Sequence, residues 1–535
     1  MRPRCWAALT AAVFLLAACE PETEQILTPE AEPAHVWAQS LVPWGLRGAV
    51  AIVEHGDTTV SAGFGALTPG GAGTIGTGTR MALGSLTKPV TALAVWRLAD
   101  QGRVALDQTL GDLLPEVTGA KAAITVEQLM SHTAGLADTH GADEEQIDRA
   151  EALRRILAQP LLFEPGTDES YSNSGYTLLA MIIEKASGLG YEDYLTSEIF
   201  DPAGMSGTGF HAEPPPAGRE EAPGSSAEGP AGAPSQLPPV SWSLRGAGGL
   251  VSTVDDLVAL DRSLFTGPLL SPPTRELALE SSLGELLPGI EAIAAAGGTP
   301  AIHHSSMWLA VPDRDLTVVV LSADRRVLAE DVVDRLARAL LSGEDLPSPP
   351  PTVAPDPAAD AALAGTYRAD TGATITVAAH PEGIRLTTDH AEAFGDLFTA
   401  TSPPGLATPE ETLRLVEGLT DDEYRNWLTA RETEFGPLDH VELLGAAPVD
   451  SPEPATFLRH HFARGTALTF WAVSSPHGEV MSVELAAAPP GVTFHRAAGG
   501  HVSFSVVGTP VASLVTFDGT TMTVHNGDRT STYRR

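Results

Sequence analysis

Lysine is nearly absent from this 535-residue chain, which contains only Lys88, Lys121 and Lys185 against 29 arginines. Asp and Glu together number 68 and Lys and Arg 32, so the formal net charge is -36. An acidic excess of this size repels a phosphate backbone and favours solubility. Nucleic acid is therefore not an expected partner.

Cysteine is also scarce, and long apolar runs are missing beyond the first residues. Cys5 and Cys19 are the only cysteines, and no segment after residue 19 contains 18 consecutive apolar residues. Because a membrane-spanning helix needs about that length, none is predicted in the body of the protein. If residues 1–19 are removed, the remaining chain has no disulfide and no cysteine nucleophile.

The first 19 residues predict a secretory signal peptide that ends in a lipobox. A basic opening at 1–4 precedes an apolar stretch at 6–18 that is too short to span a bilayer, and Leu-Ala-Ala-Cys ends at Cys19. We expect Cys19 to be acylated and to anchor the protein to a bacterial membrane; an uncleaved short anchor is the alternative. Glu20 replaces the Asp that commonly retains lipoproteins at the inner membrane, which favours the outer membrane or a periplasm-facing surface.

The composition divides the rest of the chain into four segments. Residues 20–34, rich in Glu and Pro, predict a disordered tether, and residues 346–357 predict a Pro-rich linker. Between them, residues 35–345 mix strand and helix patterns, with an insertion loop at 213–239. Residues 358–535 predict a mainly β accessory region of one or two units. The individual elements predicted are a hairpin over 49–60, a strand over 316–321, strands over 373–377 and 384–388, and helices over 86–102, 176–186, 327–341 and 409–431.

Ser85 and Lys88 form an S-x-x-K tetrapeptide at the start of the first predicted helix. Residues three apart on a helix share a face, so the Lys88 amine is expected to reach the Ser85 hydroxyl. A serine in the first turn also lies near free backbone N–H groups that stabilise a developing oxyanion. An arginine cannot lose its proton to act as a base, whereas a desolvated lysine can. The pair therefore predicts a serine nucleophile activated by Lys88.

Tyr171 and Asn173 form a second candidate element, between a turn-like segment at 164–167 and the helix predicted over 176–186. A phenol beside an ammonium group is expected to have its pKa lowered, so that Tyr171 takes the Ser85 proton and later returns one to the leaving group. Asn173 offers its amide to a substrate carbonyl or to Lys88. The alternative interpretation is a loop tyrosine beside a helix-capping asparagine.

Taken together and in order, five motifs resemble the class C β-lactamase-like family over about residues 35–345. They are GSLTK at 84–88, QGRVALD at 101–107, LMSHTAGL at 129–136, EPG at 164–166 with YSNSGY at 171–176, and GGLVST at 248–253. The resemblance implies an α/β, β-lactamase/transpeptidase-like fold, with an antiparallel sheet flanked by helices and an all-helical lobe. The family includes β-lactamases, D-alanyl-D-alanine carboxypeptidases, D-aminopeptidases and esterases. It therefore implies acyl-enzyme chemistry and leaves the substrate open.

The sequence departs from this family at the third motif, a His or Lys, then a small or hydroxyl residue, then Gly, on the strand that lines the site. Counting back from Thr-Pro at 299–300 puts Ala295 at the cationic position. Counting back from Ser-Ser at 305–306 puts Gly297 there instead. Neither residue can bind a substrate carboxylate, although a backbone N–H at Gly297 or Gly298 could still contact substrate or complete an oxyanion hole. An efficient β-lactamase is not expected.

Other candidate signals are discounted. His303 and His304 are adjacent, and neighbours on a strand point to opposite faces; His132 is expected to be a turn histidine. Neither a G-x-S-x-G elbow nor an H-E-x-x-H pair occurs, which argues against an α/β-hydrolase or a zinc protease. The G-x-G-x-x-G letters at 71–76 lie in a loop that opens no helix, so no nucleotide site is predicted.

These observations predict a serine hydrolase that acts on an amide or ester through an acyl-enzyme, with Ser85, Lys88 and Tyr171 as catalytic residues. We expect a small-molecule or peptide substrate and no metal or organic cofactor, and the sequence does not predict the oligomeric state. The alternative is a catalytically degenerate envelope protein that keeps the fold and binds peptidoglycan, peptides or a partner. In a third interpretation the carboxy-terminal region binds a ligand of its own.

Overall fold

The computed structural model describes residues 26–27, 32–226, 229–388, 390–398, 407–418, 422–448, 454–473, 480–486, 491–504, 512–527 and 529–535. Cys19 and the predicted signal peptide lie outside these residues. Among the described helices, none is both long and apolar enough to cross a bilayer.

The amino-terminal part of the chain, up to residue 345, contains eleven described helices and twelve described strands. The helices are α1 (Glu32–Ser40), α2 (Thr87–Asp100), α3 (Leu110–Leu113), α4 (Val126–Met130), α5 (Arg149–Ala158), α6 (Asn173–Ser187), α7 (Tyr191–Leu195), α8 (Asp201–Ala203), α9 (Val254–Phe265), α10 (Pro272–Glu280) and α11 (Ala329–Ser342). The strands are β1 (Ile26–Leu27), β2 (Gly48–Glu54), β3 (Asp57–Phe64), β4 (Met81–Ala82), β5 (Gly209–Phe210), β6 (Ser225–Ser226), β7 (Gly229–Pro230), β8 (Leu250–Ser252), β9 (Gly284–Leu287), β10 (Ile290–Thr299), β11 (His304–Val311) and β12 (Leu316–Ser322).

A seven-stranded antiparallel sheet with the order β1-β3-β2-β12-β11-β10-β9 separates two hydrophobic layers. Its middle strand β12 is buried at every residue, which explains the almost continuous apolar run Leu-Thr-Val-Val-Val-Leu. Val319 and Leu321 pack toward the helical lobe, whereas Val318 and Val320 pack against the layer that holds α1 and α11. The alternation of β12 side chains thus joins the two cores.

The helices around the site begin near the predicted residues, with local differences. A 3₁₀ turn, Gly84–Leu86, leads into α2, so Ser85 lies just before the α-helix. Helix α6 begins at Asn173, three residues before the predicted start, because the Ser172 hydroxyl accepts a hydrogen bond from the Gly175 N–H at 3.0 Å and caps the helix.

Two further expectations differ from the structure. The short strand β1 lies inside the predicted tether and pairs with Val60 and Ser61 of β3, and α1 begins three residues before the predicted domain start. His303 is not on a strand: it has a φ of 58° and ends the turn that follows β10, whereas His304 begins β11. The argument that these two histidines occupy opposite faces of one strand was therefore wrong.

The carboxy-terminal part is mainly β, as predicted, and forms two described sheets. Its helices are α12 (Pro357–Ala362), α13 (Ala391–Leu397), α14 (Pro409–Gly418) and α15 (Asp422–Phe435). Its strands are β13 (Gly365–Arg368), β14 (Thr374–His380), β15 (Gly383–Thr387), β16 (Leu438–Pro448), β17 (Pro454–Phe462), β18 (Gly465–Val473), β19 (Val480–Ala486), β20 (Gly491–Ala497), β21 (Gly500–Phe504), β22 (Ala512–Asp518), β23 (Thr521–Asn526) and β24 (Arg529–Arg534).

Eight of these strands, β13-β14-β15-β20-β21-β22-β23-β24, close into a barrel, and β16–β19 form a separate antiparallel sheet. The barrel is filled by apolar side chains such as Ile375, Phe394 and Phe494. The single helix predicted over 409–431 is described as two helices, α14 and α15.

The barrel packs against the amino-terminal part on the side of α1 and α11. The Trp44 ring lies 4.5 Å from the His495 ring, and Arg326 joins Asp324 of its own loop to Glu382 of the barrel. The indole N–H of Trp37 donates to the Pro347 carbonyl at 3.0 Å, which holds the predicted linker against α1. The barrel therefore lies on the opposite layer of the sheet from α2, which carries the candidate lysine.

Candidate active site

Ser85 lies where the backbone of strand β10 packs directly against the backbone of a helical turn. A Cβ on Gly297 of β10 would lie 2.0 Å from the Leu83 carbonyl oxygen and 2.6 Å from the Ser85 nitrogen. Gly84 has a φ of 52°, and its own Cβ would lie 2.2 Å from the Gly298 carbonyl oxygen. Only glycine permits both contacts. These two glycines therefore set the position of Ser85 against the edge of β10.

Lys88 lies beneath Ser85, is only 4% exposed, and makes three polar contacts. Its Nζ is 3.1 Å from Ser85 Oγ, 2.7 Å from Asn173 Oδ1 and 3.0 Å from the Ala247 carbonyl oxygen. Burial lowers the pKa of Lys88 from 10.5 to about 7, although Asp138 and Asp143 raise it in part. A substantial fraction of Lys88 is therefore neutral at neutral pH.

Tyr171 reaches Ser85 from the opposite side. Its hydroxyl donates to Ser85 Oγ at 2.8 Å, and Lys88 Nζ lies 4.5 Å from the centre of its ring. Burial of the hydroxyl end raises the pKa of Tyr171, and the hydrogen bond to Ser85 only partly opposes this. The expectation that Lys88 lowers this pKa was wrong: burial raises it, and the Asp138 and Asp143 carboxylates add to the increase.

Asn173 binds Lys88 through its carbonyl oxygen, as one of the two sequence interpretations predicts. Its Nδ2 donates to Asp138 Oδ1 at 2.9 Å, which fixes the orientation of the amide. His132 supports the neighbouring tyrosine: its ring lies 4.7 Å from the Tyr171 ring, and its Nδ1 accepts a hydrogen bond from the Ser172 N–H at 3.1 Å. Burial lowers the pKa of His132 to about 4, so it is neutral and serves as a turn residue.

The third-motif position on β10 carries no cationic side chain. Gly297 has no room for any side chain. The structure therefore favours the alignment that puts the cationic position of the motif at Ala295. Gly298 lines the pocket, whereas Gly297 lies against the backbone of the Ser85 turn and is not among the pocket-lining residues. The backbone nitrogen and carbonyl oxygen of Gly298 both lie on the side of β10 that faces Gly84 and the Ser85 turn.

A narrow pocket opens over Ser85. Its walls come from the turn at Gly84, the loop that carries Asp143 and Glu144, and the segments 237–240, 247–249 and 298–300. The insertion loop thus borders the site through residues 237–239, a placement that composition could not predict. His211, which follows β5, also lines the pocket.

Sequence reasoning missed three contributors to this site: Asp138, the Ala247 carbonyl and His211. Asp138 lies two residues after the LMSHTAGL motif, and Ala247 directly precedes GGLVST, so proximity to those motifs was the available signal. His211 lies 38 residues beyond the YSN element and is not part of any of the five motifs. Within the described ranges, no group of three or more His, Cys, Asp or Glu side chains is arranged to hold a metal ion.

The fold is that of a family of serine hydrolases. Residues 44–342 match the family model described as Beta-lactamase, which is more than half of the chain, and the chain belongs to that family. The β-lactamase/transpeptidase-like fold implied by the sequence motifs is thereby confirmed.

Named relatives and solved structures agree with this assignment. The Bacillus subtilis protein PbpX, provisionally named a penicillin-binding protein, is 30% identical over 236 residues, which are 43% of this chain and 58% of PbpX. Esterase EstB of Burkholderia gladioli is 32% identical over 201 residues, which are 34% of this chain and 51% of EstB. The chain thus spans about half the length of these curated relatives.

One solved structure aligns with nearly the whole chain. The octameric penicillin-binding protein homologue from Pyrococcus abyssi covers 95% of this chain and 100% of its own, with a TM-score of 0.52 and 16% identity. At that identity the likeness shows the fold alone.

Proposed function

We propose that this protein is a serine hydrolase that cleaves an amide or ester through an acyl-enzyme on Ser85. The observation that carries the proposal is the connected network in which Ser85 Oγ lies 3.1 Å from Lys88 Nζ and 2.8 Å from the Tyr171 hydroxyl. A nucleophile, a base with a pKa near neutrality and a proton donor are in mutual contact, as acyl transfer requires.

The hydrogen-bond pattern supports Lys88 as the base. The Tyr171 hydroxyl donates to Ser85 Oγ, so the Ser85 proton must point elsewhere. Protonated Lys88 donates to Ser85 Oγ, Asn173 Oδ1 and the Ala247 carbonyl. Its neutral form has two hydrogens for Asn173 and Ala247, and its lone pair then accepts the hydrogen bond of the Ser85 hydroxyl. Lys88 therefore accepts the Ser85 proton as the Ser85 oxygen bonds to the substrate carbonyl carbon.

The remaining steps use groups already in place. The carbonyl oxygen gains negative charge, which the N–H groups of Ser85 and Gly298 stabilise. The leaving group departs with a proton supplied by Tyr171, whose raised pKa keeps it protonated, and Lys88 restores that proton. Water then attacks the acyl-enzyme carbonyl carbon and gives a proton to the Tyr171–Lys88 pair. The pair passes a proton to Ser85 Oγ as the bond between that oxygen and the acyl carbon breaks, which releases the acid product and restores the Ser85 hydroxyl.

We further propose that the enzyme acts in the bacterial cell envelope, anchored by lipid on Cys19. This rests on the basic, apolar and Leu-Ala-Ala-Cys segments of residues 1–19. Labelling with radioactive palmitate of cells that express the full chain or Cys19→Ala tests it. We expect label in the full chain alone, and equal labelling of both would refute the anchor.

The test of the catalytic proposal is the intact mass of the full chain, extracted in detergent, after exposure to a fluorophosphonate and separately to a penicillin. We expect one fluorophosphonate adduct that Ser85→Ala abolishes. Ser131→Ala is the matched control, because Ser131 is exposed nearby and bonds only to Glu127 and Thr133. Labelling by penicillin as well would indicate a peptidoglycan-type substrate.

No adduct on folded protein would refute the catalytic proposal. It would instead support the degenerate binding protein, the interpretation that the missing third-motif cation favours. An adduct that persists in Ser85→Ala would show that another nucleophile reacts.

A further inference from the structure

Two buried polar side chains of the pocket have no hydrogen-bond partner among the described residues. They are His211 and Thr299, and each is 8% exposed. The His211 Nε2 and the Thr299 Oγ1 are both shielded from solvent and unpaired. Such groups are rare in folded proteins, because an unmet buried donor or acceptor is destabilising. A binding site that is completed by a ligand is one place where they are found.

Backbone contacts fix both residues next to the candidate nucleophile. The His211 N–H donates to the Gly249 carbonyl at 3.0 Å, in the segment that also lines the pocket. Thr299 is the last residue of β10, directly after Gly298, and pairs with His304 of β11. Neither side chain is part of the network of Ser85, Lys88 and Tyr171. Their place in the same pocket instead suits contact with substrate.

The charge around these two residues is unsuited to a carboxylate. The pocket lining contains no arginine or lysine, and β10 lacks the cation that the family places there. Asp143 and Glu144 line the pocket and contribute acidic side chains to it. Burial lowers the pKa of His211 to about 4, so its imidazole is uncharged at neutral pH. A substrate carboxylate would therefore be desolvated without a counter-charge.

We propose that His211 and Thr299 form a subsite for a neutral hydrogen-bonding group, a carboxamide or a hydroxyl, on the acyl part of the substrate. Substrates that carry a carboxylate at that position are rejected. A neutral imidazole offers one donor and one acceptor, and a threonine hydroxyl offers both, so together they match a carboxamide. The inference rests on acyl transfer at Ser85, as proposed above, and adds the chemical class of the substrate.

The test compares four 4-nitrophenyl esters with six-carbon acyl chains on the full chain in detergent. The acyl groups derive from hexanoic acid, adipamic acid, adipic acid and 6-aminohexanoic acid, so the chain ends in a methyl, a carboxamide, a carboxylate or an ammonium group. We expect kcat/KM for the adipamate ester to exceed that for the adipate ester by at least about tenfold, mainly through KM. Equal values for these two esters, or the highest value for the ammonium ester, would overturn the proposal.

Variants tie the preference to the two side chains. Thr299→Val keeps the shape and removes the hydroxyl, and we expect it to lower kcat/KM for the adipamate ester about tenfold more than kcat/KM for the hexanoate ester. His211→Ala should act in the same way, and His211→Gln should retain most of the preference because it keeps a neutral donor and acceptor. Equal losses on both esters would show a structural role only. Melting temperatures identify a variant that fails to fold. The folded variants then show whether the two side chains produce the preference for the adipamate ester.

Failure of the subsite and failure of the proposed reaction give different results. Ser85-dependent hydrolysis of the hexanoate ester without preference among the esters overturns the subsite alone. If none of the esters is hydrolysed, calorimetric titration of Ser85→Ala with adipamide and with adipate tests the subsite directly. Binding of adipamide that is at least about tenfold tighter than that of adipate supports the subsite, and equal or weaker binding overturns it.

Discussion

Replacement of Lys88 by arginine tests whether a neutral lysine is the base of this site. The change keeps a positive, hydrogen-bonding side chain but removes the ability to lose a proton, because a guanidinium stays protonated in proteins. Lys88 is almost fully buried beneath Ser85, where burial holds its pKa at about 7. The reduction from 10.5 corresponds to roughly 5 kcal/mol in favour of the neutral form. An arginine at this position would stay protonated and could not accept the Ser85 proton.

Two effects on kcat/KM are expected, one in the variant and one in the wild type. General-base catalysis contributes about 10²–10⁴-fold, so Lys88→Arg should lower kcat/KM by that factor. In the wild type, kcat/KM should rise about tenfold between pH 6 and pH 8 and then level off, because the neutral fraction of a group with a pKa of about 7 rises by that ratio. The neutral form of Lys88 is the active one, and its fraction increases with pH. Activity is therefore lost as the pH falls below about 7.

The assay is stopped-flow hydrolysis of a 4-nitrophenyl ester with an uncharged acyl chain, measured from pH 5.5 to pH 9.5. Lys121→Arg is the matched control, because Lys121 is also buried, at 8% exposure, and its Nζ contacts only the Leu157 and Gln159 carbonyls. We expect Lys121→Arg to keep the rate and the profile of the wild type. A wild-type rate that still climbs above pH 9, or a Lys88→Arg variant with an unchanged rate, would refute the assignment of the base.

Three further changes have expected outcomes. Gly297→Ala should lower the melting temperature by an amount equivalent to about 1–3 kcal/mol and abolish fluorophosphonate labelling, since its Cβ would clash with the Ser85 turn. Gly298→Ala is the control, because the nearest atom to its Cβ is 3.9 Å away, and comparable damage from it would contradict the packing argument. Tyr171→Phe should reduce kcat/KM by about 10²-fold or more with an unchanged melting temperature, because the residue is 45% exposed; an unchanged rate would remove it from the mechanism. Asp138→Asn removes a charge that raises the pKa of Lys88, so the midpoint of the rate profile should move to lower pH, and a move to higher pH would contradict the sign.

The local motifs of the site could be predicted from the chain because they depend on short sequence separations. The i, i+3 spacing of Ser85 and Lys88 places the two on one helical face whatever surrounds them. The near absence of lysine from the chain strengthens the S-x-x-K spacing as evidence for Lys88 as a candidate base. The cap at Ser172 was not predicted, because a Ser followed by Asn, Ser and Gly fits a loop as well as a helix start.

The pKa values of the site residues could not be predicted from the same patterns. The sequence indicates that a lysine lies near a phenol, and the simplest expectation is a lowered tyrosine pKa. Burial reverses that result, since it lowers the pKa of Lys88 to about 7 and raises the pKa of Tyr171. Burial is a property of the packed molecule and has no signature in a four-residue motif.

By itself the sequence determined the family, through that family's fold the central sheet and helical lobe, and the mainly β carboxy-terminal region. It also supplied Ser85, Lys88, Tyr171 and Asn173 as candidate site residues. Only the tertiary structure decided which groups meet: Asp138 with Asn173, the Ala247 carbonyl with Lys88, and His211 with the pocket. Periodicity and spacing act over one or two turns of chain, whereas these contacts join residues from 35 to 159 positions apart. Such contacts depend on how the sheet, the helices and the insertion loop pack, because the hydrophobic core fixes distances that the order of residues along the chain does not specify.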